Sequence, residues 1–269
     1  MKGVLKYPGA KNRIAEWICG NIPQHNVYLE PFFGSGAVFF NKQPAKIETI
    51  NDLDNNVVNY FKVLRNKRDE LISALRMTPY AREEYDHAFD VSDQDSDVEK
   101  ARKFAVRCWM GFGCSNLYKN GFRSSQQSKS PYTTKEWAEI PDRLIAVTER
   151  IKMAQIENLP AIELIRRYDT ADVFIYADPP YIRSIRKDYI YRYEMSDDEH
   201  IELLETLIKH PGKVMISGYE SKLYNSMLSG WRKVQKKTQA EGGIKRTETL
   251  WMNYEEVGQL QLKILEDIR

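Results

Sequence analysis

The sequence predicts an α/β protein with a mainly parallel sheet, because short apolar segments alternate with segments of helical periodicity. The candidate strands span residues 27–30, 47–50, 153–157, 173–177, 214–217, 231–236 and 249–253. About a hundred residues separate the second candidate strand from the third, far more than a normal crossover requires. A chain of 269 residues can bury one full α/β core and still carry a smaller second domain.

The helix after the fourth strand is the most clearly marked helix. Ser196 and Glu199 have the spacing of a capping box, in which two side chains satisfy backbone N–H groups at the start of a helix. The residues that follow place their apolar side chains on one face, at Ile201, Leu204, Leu207 and Ile208. We therefore expect this face to pack on the sheet.

The long insertion changes character after Thr78 and Pro79. Residues 90–97 are acidic and turn-like, whereas residues 108–131 are rich in Gly, Ser, Asn and aromatic residues with basic residues among them. We therefore predict two domains. Residues 1–77 and 149–269 form the sheet domain, and residues 78–148 form an inserted, mostly helical domain.

Composition excludes several classes of protein. The net charge of +2 is too small to indicate nucleic-acid binding by itself. Cys19, Cys108 and Cys114 form no Cys-x-x-Cys pair and the histidines are scattered, so we expect neither a disulfide framework nor a metal site. The apolar runs have the length of buried strands and the first residues lack the apolar region of a signal peptide, so we expect a cytoplasmic protein without membrane contact.

The first chemical motif follows the first strand. Glu30 leads into a turn that contains Phe32, Gly34 and Gly36, and glycines allow a backbone to approach a ligand closely. The next strand delivers Asp52 to its carboxyl end, where a carboxylate can accept hydrogen bonds from both hydroxyls of a ribose. The glycine spacing differs from that of dinucleotide sites, so it favours a nucleoside without phosphates.

The second motif is the tetrapeptide Asp178-Pro179-Pro180-Tyr181, directly after the candidate strand 173–177. The Asp178 carboxylate and the main-chain carbonyl of Pro179 can accept hydrogen bonds from both N–H groups of an aromatic amine. These hydrogen bonds localise the lone pair on the amine nitrogen. The two prolines fix the direction of that carbonyl. Tyr181 offers an aromatic face on which an extruded base can stack.

Taken in order, these motifs resemble one family. Residues 6–11, residues 30–36, Asn51 with Asp52, and residues 178–181 are similar to the motifs of the Dam-type (D12 class) DNA adenine N6-methyltransferases. The resemblance spans nearly the whole chain and is weakest across the insertion. It implies an α/β fold with a Rossmann-like sheet that binds S-adenosylmethionine (SAM), and it implies that the insertion is the target-recognition domain.

The resemblance also implies a set of site residues. Tyr7 and Lys11 would line the methionine end of SAM, although many members carry Trp at the first of these places. Asp52 would hold the ribose and Asn158 would contact the cofactor adenine, where relatives often carry Asp. The cofactor residues expected in full are Tyr7, Lys11, Glu30, Phe32, Gly34, Gly36, Asp52, Asn158 and Asp178. The catalytic residues expected are Asp178, Pro179, Pro180 and Tyr181, with no metal.

Double-stranded DNA is the implied substrate. An enzyme reaches adenine N6 by flipping the nucleotide out of the duplex, which costs a few kcal/mol and must be offset by stacking and phosphate contacts. We expect Asn120 and Gly121 to form a hairpin turn whose aromatic and basic neighbours enter a groove. The expected DNA ligands are Tyr118, Lys119, Asn120, Arg123, Lys129, Arg183, Arg186 and Lys187.

Other interpretations remain open at this stage. A nicotinamide-dependent oxidoreductase is disfavoured because the glycine turn lacks the third glycine of dinucleotide sites. That function would also leave the tetrapeptide unexplained. N4-cytosine methyltransferases usually carry Ser, and protein-glutamine methyltransferases usually carry Asn, at the place of Asp178. A catalytically silent DNA-binding module would not need the intact motifs. We expect a monomer, with a cognate restriction endonuclease as a hypothetical partner, and the recognition sequence stays open.

Overall fold

A computed structural model describes residues 3–114, 117–127, 132–183, 191–239 and 245–255. The strands are β1 (Val27–Glu30), β2 (Ile47–Asn51), β3 (Gln155–Glu157), β4 (Val173–Ala177), β5 (Lys213–Gly218), β6 (Arg232–Gln239) and β7 (Lys245–Met252). The helices are α1 (Ala15–Cys19), α2 (Asn55–Asn66), α3 (Arg68–Met77), α4 (Arg82–His87), α5 (Asp97–Met110), α6 (Thr133–Ala138), α7 (Ile140–Lys152), α8 (Ala161–Arg167), α9 (Asp197–Lys209) and α10 (Lys222–Met227), with a 3-10 turn at Phe112–Cys114.

The described strands form one sheet in the order β3-β2-β1-β4-β5-β7-β6. The five strands from β3 to β5 are parallel, while β7 runs antiparallel to both β5 and β6. The order therefore reverses between β1 and β4, which is the arrangement of a doubly wound, Rossmann-like sheet. The predicted α/β fold is confirmed.

One face of the sheet carries the main apolar core of the sheet unit. Residues of β1, β4, β5 and β7 pack there against α8, α9 and α10. All five residues of β4 are buried, as expected of a central parallel strand with both faces covered. The predicted capping box of α9 is confirmed, because the Ser196 hydroxyl accepts from the backbone of Glu199 and the Glu199 carboxylate accepts from the backbone of Ser196.

The chain divides into two compact units. The described residues of the helical unit fall within Met1–Ala10, Asp54–Ala154 and Ile190–Arg192, and those of the sheet unit fall within Lys11–Leu53, Gln155–Tyr189 and Tyr193–Arg269. The predicted insertion, residues 78–148, lies inside the helical unit.

The helical unit begins earlier than the change of sequence character at residue 78 suggests. Helices α2 and α3 pack against α5 and α7, and the rings of Tyr60 and Phe104 meet edge-on with centroids 6.2 Å apart. An apolar helical face looks the same in sequence whether it covers a sheet or other helices. The spacing of apolar residues in α2 and α3 could therefore not show which of the two units these helices join.

Among the described residues, no helix combines the length and the apolar character needed to cross a bilayer.

Candidate active site

The carboxyl ends of the parallel strands gather the motif residues at one edge of the sheet. Glu30 ends β1, Asn51 ends β2, Asp178 follows β4, and Gly218 ends β5. In open α/β sheets, ligands bind outside this edge, at the point where the strand order reverses. That point lies between β1 and β4, so the first motif and the tetrapeptide flank it.

The glycine turn after β1 depends on left-handed backbone conformations. Gly34 has a φ of 50° and Gly36 a φ of 69°, a region that side chains disfavour. A Cβ on Gly36 would also lie 2.5 Å from Cζ of Phe33. Residues 37–42 form hydrogen-bonded turns. Pro44 lies just beyond and disfavours helical geometry at the residue before it.

Asp52 and Asn51 tie the ends of neighbouring strands together. The backbone N–H of Gly34 donates to Oδ2 of Asp52 at 2.8 Å, so the carboxylate organises the glycine turn. The buried Asn51 amide donates to the carbonyls of Pro31 at 2.9 Å and Leu159 at 3.0 Å, and its oxygen accepts from the Leu159 N–H at 2.8 Å. The ends of β1 and β2 are thereby fixed against the segment that follows β3.

Asn158 lies at the same edge, with its side chain exposed. Its amide nitrogen donates to the main-chain carbonyl of Asp52 at 2.8 Å. The residue is therefore beside the carboxylate expected to hold a ribose, as the prediction of a cofactor contact requires.

Asp178 is held by a partner on each carboxylate oxygen. The Lys11 ammonium lies 2.7 Å from Oδ2, and the Ser217 hydroxyl donates to Oδ1 at 2.9 Å. The Tyr176 hydroxyl is 2.9 Å from Oγ of Ser217, which extends the network under the corner. The Asp178 side chain retains 17% exposure whereas Lys11 retains 5%, so the carboxylate is oriented from the protein side and still reachable.

Tyr181 is anchored at its hydroxyl. Lys11 donates to this oxygen at 2.7 Å, and the hydroxyl donates to the Glu248 carboxylate, whose two oxygens both lie 3.1 Å away. The Tyr219 ring lies against the Tyr181 ring with centroids 4.2 Å apart and planes 33° apart. The two tilted rings stand next to the acid–proline corner, and the Tyr181 ring itself is buried.

Glu30 lies buried at the end of β1. The Tyr28 hydroxyl donates to its Oε2 at 2.7 Å. Burial raises the pKa of Glu30 to about 8, although the hydrogen bond from Tyr28 opposes this shift. The raised pKa therefore favours the protonated form of this carboxyl group at neutral pH.

Comparison with known proteins accounts for this collection of motifs. The sequence profile of the D12 class N6 adenine-specific DNA methyltransferases matches residues 7–241. The chain belongs to this family. It is 28% identical over 261 residues to the type II methyltransferase M.MjaIII of Methanocaldococcus jannaschii, covering 86% of this chain and 89% of that protein. It is 20% identical over 261 residues to the DNA adenine methylase of Escherichia coli, covering 91% and 92%.

The predicted site residues of this methyltransferase fall into three groups. The first group belongs to the sheet unit, and its carboxyl edge carries Lys11, the glycine turn, Asp52, Asn158 and the tetrapeptide. In the same unit Phe32 is partly buried against the apolar core, and Arg183, which follows the tetrapeptide, is half-buried. Tyr7 belongs to the helical unit, where its ring meets that of Phe104 edge-on. Lys129, Arg186 and Lys187 lie outside the described residues.

The predicted hairpin of the insertion has a different turn. Gly111 and Phe122 form an isolated antiparallel bridge, so Asn120 and Gly121 lie on the returning segment and not at a two-residue turn. The Asn120 amide donates to the carbonyl of Phe112, and its oxygen accepts from the Tyr85 hydroxyl at 3.1 Å. These internal bonds, which the dipeptide could not reveal, hold the segment in place.

The basic and aromatic side chains of this segment differ in their surroundings. Tyr118 is 51% exposed. Lys119 is also exposed and lies 3.5 Å from Asp86. Arg123 donates from Nε to the carbonyl of Gly111 at 3.2 Å, so part of its guanidinium is used within the helical unit.

Sequence reasoning missed three residues of the site. Ser217, Tyr219 and Glu248 lie outside the motifs from which the site was predicted. The available signal was topological: Ser217 and Tyr219 come at the end of β5, and Glu248 lies in the amino-terminal half of the antiparallel strand beside it. An antiparallel neighbour brings its amino-terminal half to the edge where parallel strands end.

The raised pKa of Glu30 predicts a pH-dependent stability. The unfolded chain releases this proton near pH 4.5 and the folded protein near pH 8. Its contribution to stability is therefore fully present below pH 4.5 and is lost as the pH rises to about 8. Glu30→Gln should remove this loss, so its stability relative to wild type should increase by roughly 3 kcal/mol between pH 5 and pH 8.

Urea unfolding at both pH values measures this difference. Glu163→Gln, which changes an exposed carboxylate of α8, is the matched control and should follow the wild type. If Glu30→Gln also follows the wild type, the Glu30 carboxyl group is not protonated in the folded protein.

Proposed function

We propose that this methyltransferase transfers the methyl group of SAM to N6 of an adenine flipped out of double-stranded DNA. The observation that carries the proposal is the position of Asp178. It follows β4 directly at the point where the strand order reverses, next to the glycine turn of β1, and its carboxylate is oriented on both oxygens. Family membership supplies the substrate class, and this corner supplies a group for the reacting amine.

The residues at this edge fit a nucleoside cofactor. Gly34 and Gly36 expose main chain without a Cβ, and Asp52 stands at the end of β2 with one oxygen on the Gly34 N–H. We propose that Asp52 binds the ribose hydroxyls and that Asn158 lies by the adenine of the cofactor. When bound, SAM supplies an electrophilic methyl group on a sulfonium.

The acid–proline corner acts on the adenine amine. This amine is a poor nucleophile because its lone pair is delocalised into the ring. The Asp178 carboxylate and the Pro179 carbonyl accept hydrogen bonds from its two N–H groups. These hydrogen bonds localise the lone pair on the nitrogen and orient it for in-line attack. Lys11 and Ser217 each occupy one lone pair of a different Asp178 oxygen, and each oxygen keeps a second acceptor site. After the transfer, the methylated nitrogen releases one proton to solvent water.

We further propose that residues 78–148 recognise the target. Tyr118 and Lys119 are the exposed candidates for base and phosphate contact, and Arg123, whose Nε donates to the carbonyl of Gly111, is the third candidate. Arg183 would contact phosphate beside the flipped nucleotide. The protein would act as a monomer, and the type II name of one relative supports a cognate restriction endonuclease as partner.

The product and one variant test the proposal. Wild-type protein incubated with labelled SAM and duplex DNA should yield N6-methyladenine, identified by mass spectrometry of the nucleosides. Asp178→Ala should reduce single-turnover transfer by at least about a hundredfold while SAM binding stays within about twofold, because the acceptor for the amine is lost. Asp169→Ala, at an exposed site of the sheet unit, is the control.

Two results would contradict the proposal. Transfer by Asp178→Ala at the wild-type rate would show that another group holds the amine. Formation of N4-methylcytosine, or methylation of protein and not of DNA, would show that the substrate is wrong.

The DNA surface of the insertion makes a separate prediction. Lys119→Ala should weaken DNA binding and reduce the slope of log K against log salt by about one, because one phosphate contact is lost. Fluorescence anisotropy at several salt concentrations measures the slope. Lys209→Ala, an exposed lysine of α9, should leave it unchanged. An unchanged slope for Lys119→Ala would remove this lysine from the DNA contacts.

A further inference from the structure

Glu248 is a buried acid in the middle of a strand. Its side chain, on β7, is 3% exposed. Along the same strand it is followed by Thr249 and then by the buried apolar residues Leu250 and Trp251. Burying a carboxylate is unfavourable unless it is paired and hydrogen-bonded. Replacement of a buried ion pair by apolar residues is often neutral or stabilising, so stability alone does not explain an acid at this position.

The contacts of Glu248 lead directly to the acid–proline corner. Both of its oxygens accept from the Tyr181 hydroxyl at 3.1 Å, and Oε1 lies 3.8 Å from the Lys11 ammonium. Lys11 in turn donates to the same Tyr181 hydroxyl and pairs with Asp178, in each case at 2.7 Å. One cation is thus shared by two carboxylates, of which only Asp178 lies in the tetrapeptide.

The charge of this cluster matters for the reaction. Lys11 with Asp178 alone would form a neutral pair, which weakens Asp178 as an acceptor for the substrate amine. A second carboxylate draws on the same ammonium and gives the three groups a net negative charge. Because positive charge develops on the amine nitrogen during attack, a fixed negative cluster stabilises the transition state more than the ground state.

We propose that Glu248 is a positioning residue of the transfer step: it holds Tyr181 and Lys11 in place and supplies the second negative charge beside Asp178. This inference rests on the proposed adenine methylation and assigns to the same site a residue outside its sequence motifs.

The ionisation of Glu248 follows from its neighbours. Its pKa is raised, chiefly by burial and also by repulsion from Asp178, while the attraction of Lys11 opposes the rise. The other groups nearby are Tyr181, Tyr219 and, opposite Glu248 in register on β6, Lys236. As the pH falls and Glu248 gains a proton, its share of the cluster charge is lost.

Glu248→Gln tests the inference, because Gln keeps the shape and can accept from Tyr181 but carries no charge. We expect single-turnover methyl transfer to slow by about tenfold or more, with the dissociation constants of SAM and DNA within about twofold of wild type. Glu163→Gln, an exposed acid-to-amide change on α8, should transfer at the wild-type rate. In a Lys11→Met background, Glu248→Gln should slow transfer by less than about threefold, because the shared cation is already absent.

A second variant secures the test if Glu248→Gln fails to fold. Tyr181→Phe removes the hydroxyl that joins Lys11 to Glu248 and keeps the ring, and it should slow transfer to a similar extent with DNA binding retained. Wild-type rates in either folded variant would overturn the inference, as would loss of SAM binding in parallel with transfer. If the wild type itself forms no N6-methyladenine, the proposed function fails, whereas a normal wild type with a fully active Glu248→Gln refutes the role of Glu248 alone.

Discussion

The Lys11 ammonium is the interaction on which the candidate site depends. It lies almost fully buried and joins the segment before α1 to the corner after β4 and to β7. A buried cation is tolerated only where anions and acceptors surround it. Asp178, Tyr181 and Glu248 meet that need, so the same contacts that allow Lys11 to be buried also fix the acid–proline corner.

Sheet topology brings these groups together. Parallel strands end at a common edge, and the reversal of strand order between β1 and β4 places the glycine turn beside the acid–proline corner. Asn51 holds this edge together from below through three hydrogen bonds to main-chain groups. The antiparallel strand β7 adds Glu248 from a part of the chain about seventy residues beyond Asp178.

Local patterns made the fold and the motif residues predictable. A strand followed by glycines, an acid at the next strand end and a diproline corner are each encoded in a few adjacent residues, so Gly34, Asp52 and Asp178 could be identified without a structure. The strand positions followed from runs of apolar residues in the same way. The seven predicted strands all occur, with β6 two and β7 three residues longer than expected and β3 two residues shorter.

Contacts between distant residues were beyond such patterns. Ser217 reaches Asp178 only because β5 pairs with β4, and Glu248 joins the cluster only because β7 pairs with β5. Helices α2 and α3 reveal their unit only through packing on α5 and α7. Asn120 looked like a turn residue because Asn-Gly favours tight hairpins, yet its side chain bonds to Phe112 and Tyr85. In each case the deciding interaction joins residues that lie far apart in sequence or whose pairing the local sequence leaves open.

In the proposed reaction a flipped adenine meets SAM at the acid–proline corner. A crystal structure of the protein with S-adenosylhomocysteine and a methylatable duplex tests it most directly. We expect the ribose of the cofactor product on Asp52 and an extruded adenine whose N6 donates to Asp178 and to the carbonyl of Pro179. A cofactor bound away from the ends of β1 and β4, or an adenine that remains stacked in the duplex while the corner contacts no base, would contradict it.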